Sequence, residues 1–126
     1  MTTSYQRESI HERNINKRYE KLGFQYMRSA GSHGTADGVV WNNEQIIFWA
    51  SQSVPWDIRK QELIWRSLLR PPNSLLMFFS FNKLGLEITE DADELAGKYG
   101  WIINPVSQEL LEFGKKHKWD WVSIKR

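Results

Sequence analysis

The feature that most constrains this chain is the run Ile46-Ile47-Phe48-Trp49, four large apolar residues in succession. A strand with one wet face alternates apolar with polar residues, so an unbroken run reads as a strand covered on both faces and therefore central. Ser74 to Phe81 repeats the pattern around Leu75-Leu76-Met77-Phe78-Phe79. Central strands of this kind, interleaved with helical stretches, predict an α/β fold with a mixed sheet.

Composition narrows the class further. The 126 residues are 40% hydrophobic and 25% charged, the profile of one soluble globular domain over 1–126. Cysteine is absent, which excludes a disulfide scaffold, a Cys-based zinc site and a thiol nucleophile. No apolar run approaches the roughly 20 residues that span a bilayer, and the polar start MTTSYQRESIHERN has no signal-type core. The expected setting is the cytoplasm, without a membrane. A net charge of +2 admits a nucleic-acid partner without requiring one. The 7 Trp read first as core and interface anchors, and second as platforms for base stacking.

Local signals order the elements. A helix over Ser4 to Leu22 closes at Gly23, with Ile15, Tyr19 and Leu22 as its core stripe. Arg13, Lys17 and Lys21 line the opposite face, with Ile10 between them, while Glu12 lies beside the apolar stripe. Phe24 to Arg28 reads as a strand, 29–36 as a loop of small residues, and Asp37–Trp41 and Gln45–Ser51 as a hairpin. Asp57 caps a helix to Leu69 that stops before Pro71-Pro72. Ile58, Trp65 and Leu68 form its buried side, Gln61 projects into that stripe, and Arg59, Arg66 and Arg70 line the other side. Leu84 to Ile88 pairs back on the Ser74–Phe81 strand through Asn82-Lys83, and Thr89 caps a short helix over Asp91 to Lys98. Ser107 caps Gln108 to His117, and Trp119 to Ile124 alternates as a last strand.

Glu12-Arg13, Leu22-Gly23-Phe24, Arg28-Ser29-Ala30-Gly31-Ser32 and Asp37, in that order, resemble the archaeal Holliday junction resolvases of the PD-(D/E)xK nuclease superfamily. The likeness covers roughly residues 10–53, with the loop before Asp37 about one residue longer than the family's. It implies a restriction-endonuclease-like three-layer fold with Asp37 near one end of a strand and Glu12 within reach. It also implies a homodimer, since a junction presents two related strands. In such enzymes a strand Asp, a second strand carboxylate and a helix Glu hold Mg²⁺ or Mn²⁺, which neutralises charge on the scissile phosphate, while a Lys helps to activate water. Glu12 matches the helix acid, Asp37 the first strand acid and Ser32 the loop serine.

The next strand departs from that pattern. Ala50 stands where the second carboxylate belongs, and Gln52 stands in the Lys position. An acid migrated to the following helix, Glu62 or Asp57, is the remaining route to a complete metal site. Gln61 is either a buried amide bonded to backbone or a site residue, and His33 reads as a solvated loop side chain.

Three functions follow. The first is a nucleic-acid-binding protein of the resolvase fold, holding branched or duplex DNA through Arg13, Lys17, Lys21, Arg28, Arg59 and Arg66, with its nuclease site lost or weak. The second is an active Mg²⁺-dependent structure-specific endonuclease using Glu12, Asp37, Gln52 and Glu62. The third is a homo-oligomeric protein-interaction module. Under the first, Ala50→Glu with Gln52→Lys is expected to raise cleavage if the rest of the site is intact.

Overall fold

The computed structural model describes residues 4–28 and 36–102, and beyond them 108–109, 112–113 and 116–117. In chain order the elements are α1 (Ser4–Lys21), β1 (Gln25–Arg28), β2 (Gly38–Trp41), β3 (Ile46–Ser51), α2 (Ile58–Ser67), β4 (Leu75–Phe81), β5 (Glu87–Asp91) and α3 (Ala92–Tyr99). The five strands form one sheet in the order β1-β2-β3-β4-β5. β3 and β4 are parallel, with α2 in the connection, and the other neighbours are antiparallel. The α/β fold with a central mixed sheet is therefore observed.

Side-chain alternation along β3 and β4 divides the core in two. Ile47 and Trp49 of β3 pack with Ile15 of α1, Val40 and Phe79 on one face. Ala50 packs on the other with Leu76, Phe78, Trp65 of α2, and Ala92 and Ala96 of α3. Both runs thus have the two-sided cover that their composition predicts. Gly38 is fixed by this packing: a Cβ there would lie 2.6 Å from carbons of the Trp49 ring. Among the described residues no helix is long and apolar enough to cross a membrane.

Several local expectations are corrected. Leu22 is 72% exposed, because the helix ends at Lys21 and the chain turns away before it can pack. Ile58, at the first turn of α2, is exposed, whereas Trp65 is buried. α2 ends at Ser67, ahead of the proline pair, and begins at the expected Asp57 cap. The turn after β4 is longer than Asn82-Lys83, so β5 runs from Glu87 to Asp91. Thr89 therefore lies in the strand, and Asp91 caps α3 by accepting from the N–H groups of Asp93 and Glu94. Residues 108, 109, 112, 113 and 116 are helical, whereas Ser107, Ser32, His33 and the strand over 119–124 lie outside the described residues.

Candidate functional site

Parallel β3 and β4 finish at the same edge of the sheet, and β2 begins there. That edge gathers Arg28, Asp37, Ala50 and Gln52. Asp37 directly precedes β2; its N–H donates to Trp49 O at 2.9 Å, and its Oδ2 accepts from Ser51 N at 2.7 Å. The register that pairs Gly38 with Trp49 brings Asp37 level with Ala50. Gln52 continues the β3–β4 ladder by donating its N–H to Phe79 O.

α1 reaches the same edge. His11 stacks on Phe81, the last residue of β4, with ring centroids 4.0 Å apart. About two turns further on, Arg18 makes a bidentate pair with Glu87 of β5 at 2.6 and 2.7 Å. The row His11–Ile15–Arg18 therefore leans toward β4 and β5. On the neighbouring row Glu12–Asn16–Tyr19, Tyr19 meets both Phe24 and Phe79 of β4 edge-on. Glu12 is half-buried on that row. Bonding to Glu87 holds the Arg18 guanidinium above its ordinary range, against partial burial. Burial likewise pushes the Tyr19 phenol up, partly offset by Arg18.

The second carboxylate position is closed. Ala50 is 2% exposed within its apolar cluster, and Trp56 lies against Phe78 with ring centroids 5.0 Å apart. The Trp56 indole N–H donates to Phe79 O at 3.1 Å, which fixes the ring over this end of the layer. Gln52 turns its amide away, with Nε2 donating to Pro55 O at 2.9 Å and Oε1 facing Lys60 Nζ at 3.5 Å. Lys60 also sits 5.4 Å from the centre of the Trp56 ring. Lys60 has no signal in the sequence, since only the folded loop 52–57 returns it to the strand end.

Gln61 is buried, and its amide donates to the Glu90 carboxylate at 3.0 Å rather than to backbone. Glu62 pairs with Arg66 at 3.3 Å, one turn along α2. Arg70 is not part of a solvated row: it is bonded to Asp93, which also accepts from the Trp65 indole, and to Ser74 O. Arg13, Lys17, Lys21 and Arg59 are exposed and carry no ion pair among the described residues. Arg28 closes β1 opposite Gly38.

A hard divalent cation takes several oxygen ligands. Among the described residues no three His, Asp or Glu side chains come together to hold a metal ion. Ala50 supplies no oxygen, and Asp37 spends one of its two on a backbone N–H. The described residues thus do not fit Mg²⁺ or Mn²⁺. What the fold does offer is an exposed row of cations on α1 and a sealed end to β3. The chain matches no known protein family, no characterised protein and no solved structure.

Proposed function

We propose that this chain is a cytoplasmic DNA-binding protein with the restriction-endonuclease-like fold of the archaeal Holliday junction resolvases, in which the cutting centre has been lost and the binding surface kept. The observation that carries the reading is the row Arg13, Lys17 and Lys21 on α1. Successive members stand one helical turn apart, about 6 Å along the axis. All three are exposed and lack an acidic partner among the described residues, so their charge is available to a polyanion. Such contacts neutralise backbone phosphates, position the protein and carry no sequence preference. The apolar closure around Ala50 supports the second half of the reading, because it leaves no room for a second metal-binding carboxylate. A homodimer would place two such rows on the related arms of a branched substrate.

The test is a salt titration of binding to four-way and linear DNA. Wild-type affinity is expected to fall steeply with salt, by about 0.9 log units per log unit of salt for each phosphate contact on duplex DNA. Charge reversal at Arg13 and Lys17 together should weaken binding to all sequences alike and flatten that slope by about two contacts' worth. Junction cleavage with Mg²⁺ or Mn²⁺ is expected to be absent or very slow. Unchanged affinity in the double variant removes the basis for a DNA-binding role and turns attention to a protein partner. Fast cutting that is abolished by Asp37→Ala restores the endonuclease reading.

A further inference from the structure

The turn between β4 and β5 leaves the sheet at the same edge as Asp37 and Gln52, and it is built unlike an ordinary mobile tip. Asn82 Oδ1 accepts from the N–H groups of both Leu84 and Leu86, at 2.9 and 3.0 Å. The Asn82 N–H donates to Leu86 O at 3.0 Å, and the Gly85 N–H donates to Asn82 O at 2.9 Å. Gly85 adopts φ +77°, a left-handed conformation in which a side chain is strained. The base of the turn is clamped as well, since Phe81 carries the stacked ring of His11 from α1.

This rigid frame presents apolar side chains to water. Leu84 is 83% exposed and Leu86 60%. Turns of this kind favour polar residues, and a leucine held at a tip contributes nothing to the core. Lys83 beside them is exposed and has no ion pair among the described residues. Through the His11–Phe81 stack, the turn is also anchored to the helix that carries Arg13 and Lys17. An apolar point beside Lys83, with the acid at its base, Glu87, neutralised by Arg18, suits a polyanion with apolar layers exposed at a break. A DNA branch point, where base stacking is interrupted, has that chemistry.

We propose that the Asn82–Leu86 turn is a wedge, with Leu84 at its point, that enters the opened base stack at a branch in DNA while the cations of α1 hold the flanking phosphates. This rests on the DNA-binding reading above and assigns the selection of branched over continuous DNA to a different element. Apolar side chains inserted between base steps unstack them, and the cost is offset by the contacts that insertion permits. Because a continuous duplex has no opened step, the wedge acts on branched DNA alone.

The experiment uses the full chain, an immobile four-way junction with 2-aminopurine at its branch point, and a linear duplex of matched sequence. 2-Aminopurine brightens when it is unstacked. Wild type is expected to brighten the junction and to bind it more tightly than the duplex. Leu84→Ala should lose the brightening and roughly tenfold of the junction affinity, the scale of one buried leucine side chain, while duplex affinity and salt slope stay put. Leu84→Met, still apolar and long, should retain both signals, and thermal melting of each variant shows that the fold is intact. The wedge is overturned if Leu84→Ala brightens and binds the junction like wild type, or loses junction and duplex binding equally. It is also overturned if Leu84→Ala changes the sedimentation of the free protein, which would make the turn a contact between copies. Failure of wild type to bind either DNA overturns the DNA-binding reading itself, an outcome distinct from the others.

Discussion

The two faces of the sheet solve the same problem in different ways. Beneath α2 and α3, small alanines at 50, 92 and 96 let Trp65 and Phe78 close a continuous apolar layer. The polar groups around it are mostly matched: Gln61 with Glu90, Trp56 with Phe79 O, and Trp65 and Arg70 with Asp93. Arg66 Nε faces Glu62 as an ion pair, and Ser80 Oγ is buried without a hydrogen-bond partner among the described residues. Beneath α1, Ile15, Val40, Ile47, Trp49 and Phe79 form a comparable core, but His11 Nδ1, Asn16 Oδ1, Trp49 Nε1 and Ser51 Oγ are buried without a hydrogen-bond partner among the described residues. An unsatisfied buried polar group costs stability, so the orphan atoms beneath α1 weigh against that face, while the paired groups Gln61–Glu90 and Arg70–Asp93 tie the other together. Ala50, which stands where the resemblance implies a carboxylate, lies on the α2–α3 face.

The sharpest way to break this contrast is Ala50→Glu, alone or with Gln52→Lys. On sequence pattern the pair is expected to rebuild a nuclease centre. In the fold the new carboxylate enters a layer of Trp65, Leu76 and Phe78, and an uncompensated buried charge costs about 3–5 kcal/mol. Urea unfolding should show a markedly lower midpoint with an unchanged slope, and no gain in cleavage. A double variant that melts like wild type and cuts a junction with Mg²⁺ would show the layer to be open.

Next in size is the pair of arginines that sequence periodicity groups together. Arg70 is only 11% exposed and is tied to Asp93 and Ser74, so Arg70→Ala should destabilise by about 2–4 kcal/mol, leaving Asp93 short of its cation. Arg59 is exposed, and Arg59→Ala should change stability by less than about 0.5 kcal/mol. Equal effects at the two positions, measured by denaturation, would mean that Arg70 is solvated after all.

Smaller effects separate the two buried amides. Gln61→Leu removes the donor to Glu90 and should cost about 1–2 kcal/mol. Asn16→Leu removes an acceptor that has no donor among the described residues, and should leave stability within about 1 kcal/mol of wild type, on the favourable side. Should Asn16→Leu prove the more damaging of the two, the α1 face is better satisfied than its geometry indicates.

These residues also mark the limit of what the sequence makes legible. The runs at 46–49 and 75–79 disclose the central strands, and Asp57 its helix cap, because both signals act within a few residues. The partners that define the site's surroundings lie far apart along the chain: Arg70 and Asp93 are separated by 23 residues, Gln61 and Glu90 by 29, and Arg18 and Glu87 by 69. Periodicity places Arg70 in a row with Arg59 and Arg66, but it cannot register that an aspartate arrives from α3. Thr89 and Asp91 are both good caps by residue type, and only the added length of the Asn82–Leu86 turn makes Asp91 the one at the helix start. The position of Ala50 is legible from Asp37 and the β3 run, whereas its closure by Trp56 depends on how loop 52–57 folds back.

The smallest expected effect tests the α1 face through pH. Tyr19 is packed edge-on against Phe24 and Phe79, and burial raises its phenol pKa above the ordinary value of 10.0. Below about pH 10 the phenol is protonated in folded and unfolded chains alike, and its packing contributes in full. Above that value the unfolded chain releases the proton while the folded chain retains it. The unfolded state then binds fewer protons, and stability falls as pH rises until the folded phenol also ionises. Tyr19→Phe keeps the ring and removes the titration. The stability difference between wild type and Tyr19→Phe should therefore be constant from about pH 7 to 9 and move in favour of the variant as pH rises beyond about 10. A difference that stays level through this range would mean that the Tyr19 hydroxyl reaches water, and that α1 rests more loosely on the sheet than α2 and α3 do.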